Sequence, residues 1–211
     1  MYSTNLLMAD RLKVRCFRKN NRGMHMKELI TERLIIRPWK VTDLEDFYEY
    51  GSDPKVGPNA GWPTHTDIET SRKILESFVK REDVSAIVLK DKGKVIGGVG
   101  LHQIAPDRAY EKELQREIGY VVNSAYWGNG YATEVVKALL QYGFEELKLD
   151  SIWCAHFDWN ERSRRVIKKC GFHYIHTKEE TLPMLAYKVV TTHYYRLSKE
   201  EYKSLIRGIE S

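Results

Sequence analysis

Hydrophobic and polar positions along the chain switch between a period of two and a period near 3.6, and the switches mark the elements. Arg33-Leu-Ile-Ile-Arg37 predicts a short strand ended by Pro38. Leu44, Phe47 and Tyr48 then give one apolar helical face, with Thr42 and Glu45 at capping-box spacing. A proline- and glycine-rich loop over 53–64 carries Trp62. A second helix is predicted from Thr66, with Ile68, Leu75, Phe78 and Val79 facing inward. Val84 to Lys90 and Lys94 to His102 predict paired strands across a turn at 91–94. A charged loop over 105–113 leads to a strand, Glu117 to Val122. A long helix follows, burying Ala132, Val135, Val136, Leu139, Leu140 and Gly143. Ser151 to Phe157 predicts another strand. Asn160 caps a helix that ends in Lys168-Lys169-Cys170-Gly171, with cations in the last turn and glycine just beyond. Strands over 172–177 and 184–197 complete the sheet, and Ser198 opens a terminal helix.

The resulting order, β-α-α-β-β-β-α-β-α-β-β, is that of an α/β chain: one mixed sheet with helices on its faces. Its two central β-α-β crossovers predict parallel pairing there. The 211 residues suit one domain with a real core. Residues 1–26 lack sustained periodicity and read as a disordered basic extension or a misplaced start, leaving 27–211 as the domain.

Composition narrows the function classes. The net charge is +5, with basic residues concentrated in the first 25 positions and near balance after them. That distribution argues against a nucleic-acid footprint. Apolar runs are strand-sized, so no membrane span is expected. Cys16, Cys154 and Cys170 have neither disulfide arithmetic nor metal spacing, and the seven histidines form no ligand pair. A reducing cytoplasmic setting and no metal are therefore expected.

The densest chemistry lies where the strand ending at Val122 meets the glycine-punctuated turn Tyr126-Trp127-Gly128-Asn129-Gly130-Tyr131-Ala132-Thr133-Glu134. Glycines let backbone approach a ligand, and the first amides of a helix lack internal partners. A strand, a glycine turn and a helix N-terminus make an anion site. The turn has no Gly-Lys-Ser/Thr ending, and no Gly-x-Gly-x-x-Gly lies near the first strand, so a P-loop and a dinucleotide fold are disfavoured.

Trp127 to Glu134 resembles the acyl-CoA signature of the GNAT acetyltransferase superfamily. Asn160 to Phe172 resembles the helix that follows it in that family. Thr31-Glu-Arg-Leu-Ile-Ile-Arg-Pro38 and Tyr195 to Tyr202 resemble the Rim-type branch, which includes ribosomal-protein N-terminal acetyltransferases. The superfamily pattern has Gln or Arg where this chain has Trp127, and the loop over 53–64 matches no subgroup.

The resemblance implies a mostly antiparallel sheet with a central splayed parallel pair. It also implies acetyl-CoA as co-substrate, held by Trp127, Gly128, Asn129, Gly130, Tyr131, Ala132 and Thr133. Amides near Val121 or Val122 would polarise the thioester. Asn160 would bind the pantetheine amide, with capping as its other reading, and Lys169 or Lys168 would reach the 3′-phosphate or complement the helix end. Glu117, ten residues before Trp127, becomes the general base, its pKa raised by partial burial; a solvated strand glutamate is the alternative. Ser163 becomes the acid for the leaving thiolate, or else an exposed serine. The expected acceptor is a protein N-terminal α-amino group. Small amines, or a non-catalytic CoA-binding module, stand as alternatives, and the assembly is left as monomer or homodimer.

Overall fold

The computed structural model describes residues 13–14, 28–81, 83–104 and 106–210. Among the described residues its sheet has nine strands: β1 (Lys13–Val14), β2 (Leu29–Ile30), β3 (Leu34–Pro38), β4 (Val84–Leu89), β5 (Val95–His102), β6 (Gln115–Val122), β7 (Ser151–Phe157), β8 (His173–Leu182) and β9 (Lys188–Ser198). The spatial order is β1-β2-β3-β4-β5-β6-β7-β9-β8. Only β6 and β7 pair in parallel; every other neighbouring pair is antiparallel. The expected disordered extension lies outside the described residues, apart from the two that form β1.

Helices α3 (Tyr131–Gln141) and α4 (Glu161–Lys169) cover one face. There Val135, Val136, Leu139 and Ile167 pack with Leu34, Ile36, Ile96, Ile118 and Ile152. Helices α1 (Leu44–Gly51) and α2 (Ile68–Arg81) cover part of the other face, packing Phe47, Tyr50 and Leu75 on Trp39, Val88 and Val95. Leu139 is fully buried. Leu139→Ala is expected to cost about 3 kcal/mol, as truncation of a buried leucine leaves a cavity. A denaturation midpoint within error of the parent's would refute this.

Five expectations change. The first helix buries Leu44, Phe47 and Tyr50, with Tyr48 only half-buried. Its entry is closed by Asp43, which accepts from the Lys40 amide at 2.9 Å and pairs with Arg37, rather than by Thr42 and Glu45. Asp67, not Thr66, caps α2 by accepting from the Thr70 amide at 2.7 Å.

The last hairpin also differs. β8 runs to Leu182, and Met184 sits in the turn before β9. Lys178, Glu179 and Glu180 hid that extension because an edge strand open to water needs no apolar alternation. The more apolar β9, with Val190, Tyr195 and Leu197 buried, takes the interior position between β7 and β8. Of the two crossovers, therefore, only the one through α3 yields adjacent parallel strands. The terminal helix α5 (Lys199–Glu210) does start at Ser198, through a reciprocal bond with Glu201.

Candidate active site

β6 and β7 stay in register from Gln115–Ser151 to Ile118–Cys154, then part. β6 continues alongside β5 to the Gly97–Val122 pair, and β7 continues alongside β9 to the Phe157–Thr192 pair. A wedge-shaped gap opens between them, edged by residues 119–122 and 155–157. The Asn123 amide donates to Ile96 O at 2.7 Å, which fixes the alternation along β6. Val121 is therefore turned to β5, while the backbone groups of Tyr120 and Val122 face the gap. Val122 O accepts from the Trp127 indole at 2.8 Å, leaving the Val122 amide aimed into the gap.

That indole bond also anchors the glycine turn. Gly128 and Gly130 have φ of 83° and 81°, values that a side chain would strain. The first α3 bond runs from the Glu134 amide to Gly130 O at 3.0 Å. The amides of Gly130, Tyr131, Ala132 and Thr133 consequently have no acceptor among the described residues. They converge at the positive end of α3, as an anionic ligand requires.

Arg33 pins the turn from outside. Its guanidinium donates to Asn129 O at 2.9 Å, bonds the Glu134 carboxylate at 2.7 Å and lies 4.6 Å over the Tyr131 ring. On the other side, Arg162 lies 4.5 Å over the Trp127 ring. Lys55, Asn59, Ser124, Trp127 and Arg162 line a cavity of about 350 Å³. Lys55 and Arg162 give that cavity two cations, which suit phosphate groups. The segment before the turn is held by α1, for Asn123 donates to Glu49 at 2.8 Å and Ser124 bonds Asp53. Lys169 is exposed in the last turn of α4. The neighbouring Cys170 thiol lies 3.9 Å from Thr133 O, so that turn packs beside the start of α3.

Alternation along β6 puts Glu117 and Tyr120 on opposite faces. Glu117 stands between His102 and Trp153 in register, on the face away from α3 and α4. Its carboxylate has neither an ion pair nor a hydrogen bond among the described residues. Burial, reinforced by the charge of Glu180, raises its pKa from 4.5 to about 7. Tyr120, on the α4 face, has its hydroxyl 2.8 Å from Ser163 Oγ. Burial holds that phenol well above its usual pKa, so it stays protonated. Asn160 caps α4 by accepting from the Ser163 amide at 3.1 Å, and its NH2 donates to Asn59 O at 3.1 Å. Both ends of its amide are thereby engaged.

The remaining singled-out residues are structural in placement. Trp62 packs on His65 with ring centroids 5.0 Å apart. His156 bonds Phe157 O and the Tyr195 hydroxyl. Cys154 and Cys170 are buried, and burial pushes both thiols up, Cys170 to about 12, so neither is poised as a nucleophile. Tyr120, Arg33, Arg162 and Glu180 carry no role in the sequence reading. Of these, Arg33 and Arg162 had a local signal, their places in the Thr31–Pro38 and Asn160–Phe172 motifs.

A parallel strand pair splayed beside a glycine turn that opens a helix defines a site for an extended, phosphate-bearing ligand. The acetyltransferase (GNAT) domain model matches residues 33–173. N-acetyltransferase YoaA of Bacillus subtilis, itself uncharacterised, is 32% identical over 149 residues, spanning 68% of this chain and 81% of its own. The crystal structure of a GNAT-family acetyltransferase from Bacillus anthracis superposes with a TM-score of 0.72 at 27% identity, covering 82% of this chain and 99% of that one. The ribosomal-protein-S5-alanine acetyltransferase from Vibrio fischeri shares the fold, with a TM-score of 0.62 at 20% identity over 82% of this chain and 96% of its own. The chain belongs to the GNAT acetyltransferase family and is an N-acetyltransferase. No helix among the described residues is long and apolar enough to cross a membrane.

Proposed function

We propose that the protein transfers acetyl from acetyl-CoA directly to a protein N-terminal α-amino group, with Glu117 as the base. One observation carries this reading: a half-buried, unpaired carboxylate, on β6 just before it parts from β7, and a hydroxyl pair at the gap lie on opposite faces of the same strand. The free amides of Gly130 to Thr133, with Arg162 and Lys55 nearby, suit the phosphates of CoA. The Val122 amide suits the thioester oxygen, whose negative charge grows as the carbonyl is attacked.

Glu117 takes a proton from the incoming ammonium, and the freed amine nitrogen bonds to the thioester carbon. The carbon–sulfur bond then breaks. The acylated nitrogen loses its second proton to solvent, while the Tyr120–Ser163 pair protonates the departing thiolate and is reprotonated from solvent, leaving an amide and free CoA thiol. A base with a pKa of about 7 matches an α-amine near 7.7–8.0 far better than a lysine near 10.4. The Thr31–Pro38 and Tyr195–Tyr202 segments, which resemble the Rim-type branch, support the same acceptor.

Ser163→Ala and Tyr120→Phe are each expected to lower turnover by about tenfold, the modest effect of removing acid assistance from a thiolate that already leaves readily. Parent turnover in both would return the pair to scaffold. Acceptor class is tested by thiol release with two peptides of one sequence, each carrying an internal lysine. One has a free N-terminus and the other a blocked one. Release is expected only from the free form; equal release from both would overturn the α-amine assignment.

A further inference from the structure

Glu180, the edge-strand carboxylate that shifts Glu117, has a definite place. Glu117 (β6), Trp153 (β7) and Arg196 (β9) form one row across the sheet. Ala155, Tyr194 and His176 form the next row on the same face, beside the gap. The Tyr194 hydroxyl donates to Glu180 Oε2 at 2.7 Å and so draws that carboxylate back along β8 toward the Glu117 row. Burial and the charges of both Glu180 and Glu117 hold the Tyr194 phenol protonated, which keeps it a donor. Around Glu180 the charged groups are Lys178, 3.4 Å away and largely exposed, and Tyr194. Around Glu117 they are Glu180, Tyr194, Cys154 and, in register on β5, His102. Two carboxylates thus share one face; Lys178 pairs with the outer one, and Arg196, in the Glu117 row, is taken up by Glu113 at 2.6 Å, so Glu117 has no cationic partner among the described residues.

We propose that Glu180, held by Tyr194, is a specificity-determining residue that with Glu117 forms an anionic acceptor pocket. The pocket takes an ammonium whose own carbon bears no carboxylate, as in a peptide N-terminus, and rejects free amino acids. This rests on the assignment of the Glu117 face to the acceptor. An incoming ammonium supplies the cationic partner that Glu117 lacks, whereas a zwitterion would set a third carboxylate beside the two. Like charges placed together at an interface oppose binding strongly.

The test compares alaninamide with free alanine by acetyl-CoA-dependent thiol release, with kcat/KM referred to the free-amine concentration of each, because the carboxylate also makes the amine of alanine more basic. The parent is expected to favour alaninamide in kcat/KM by about 30-fold or more, and Glu180→Gln to cut that preference about tenfold. The glutamine oxygen still accepts from Tyr194, and an unchanged melting temperature verifies the fold. The same variant is expected to move the acidic limb of the pH profile to lower pH, because the neighbouring charge that favours protonated Glu117 is gone. A purely structural role for Glu180 would not move that limb. Equal use of the two acceptors, no release from either, or a Glu180→Gln enzyme with parental preference and pH limb would each overturn the proposal. If Glu117→Gln instead keeps the parent rate, it is the assignment of the base that fails.

Discussion

Glu117→Gln is expected to lower turnover by about a thousandfold, within the range for removing a positioned general base, while acetyl-CoA affinity stays within about twofold of the parent's. The separation follows from geometry. Glu117 projects to the face opposite Tyr120, and the free amides of the turn belong to α3, so its carboxylate does not contribute to the phosphate site. In the parent, kcat/KM is expected to rise with pH through about 7 as the carboxyl ionises. Stability should move the opposite way. The folded carboxyl titrates at about 7 and the unfolded one at 4.5, so the folded state holds its proton longer. Stability contributed by this group is present below pH 4.5 and is lost as pH rises toward 7. The glutamine variant escapes that loss. It should melt higher than the parent at pH 8 and at the same temperature at pH 4. A variant that is equally active, or no more stable at pH 8, would show that Glu117 is an ordinary solvated strand glutamate.

Gly130→Val is expected to weaken acetyl-CoA binding by at least about tenfold with the fold retained. A β-branched residue at a φ of 81° is a steric outlier that costs about 1–2 kcal/mol. The turn can relieve that strain by rotating the peptide at the head of α3, which turns away the amides proposed to meet the phosphates. The built side chain would also approach Arg33 Nη2, 3.5 Å from its Cβ, and disturb the guanidinium that pins Asn129 O. Gly93→Val is the matched control. Gly93 has a φ of 65° in the β4–β5 turn, with open space around its added Cβ, so it carries similar strain with no ligand role. Binding should fall in Gly130→Val alone, measured by calorimetry. Equal losses in the two variants would mean that general strain, and not the turn, sets affinity.

The elements that place the turn were legible because each is written locally. The near-continuous apolar runs over 84–102, the 3.6 period from Ala132 to Gly143, and the Asn160 and Gly171 helix signals each need only a dozen residues. The helix entries fall one residue from the expected caps because Asp43 and Asp67 compete with the neighbouring threonines, and Arg37, six residues before Asp43, settles the first case. The exchange of β8 and β9 was not legible, since it depends on which strand of a hairpin is the more apolar once β7 is already in place.

The candidate site divides along the same line. Glu117, Ser163 and the glycines are spaced within a short stretch or a known motif. Arg33 reaches Asn129 and Glu134 across about a hundred residues, Tyr120 meets Ser163 across 43, and Glu180 influences Glu117 only through the packing of four strands. Such contacts are products of topology and leave no periodic trace. Asn160 shows the converse limit. Its position marks a cap and a ligand equally well in sequence, and the structure shows its amide oxygen on Ser163 and its NH2 on Asn59.

The most direct measurement is mass spectrometry of proteins from a cell extract incubated with isotopically labelled acetyl-CoA and either the parent protein or Glu117→Gln. The expected result is label on protein N-terminal α-amines with the parent and almost none with the variant. Tight acetyl-CoA binding without transfer of label to any amine, or equal transfer by the two proteins, would contradict the account.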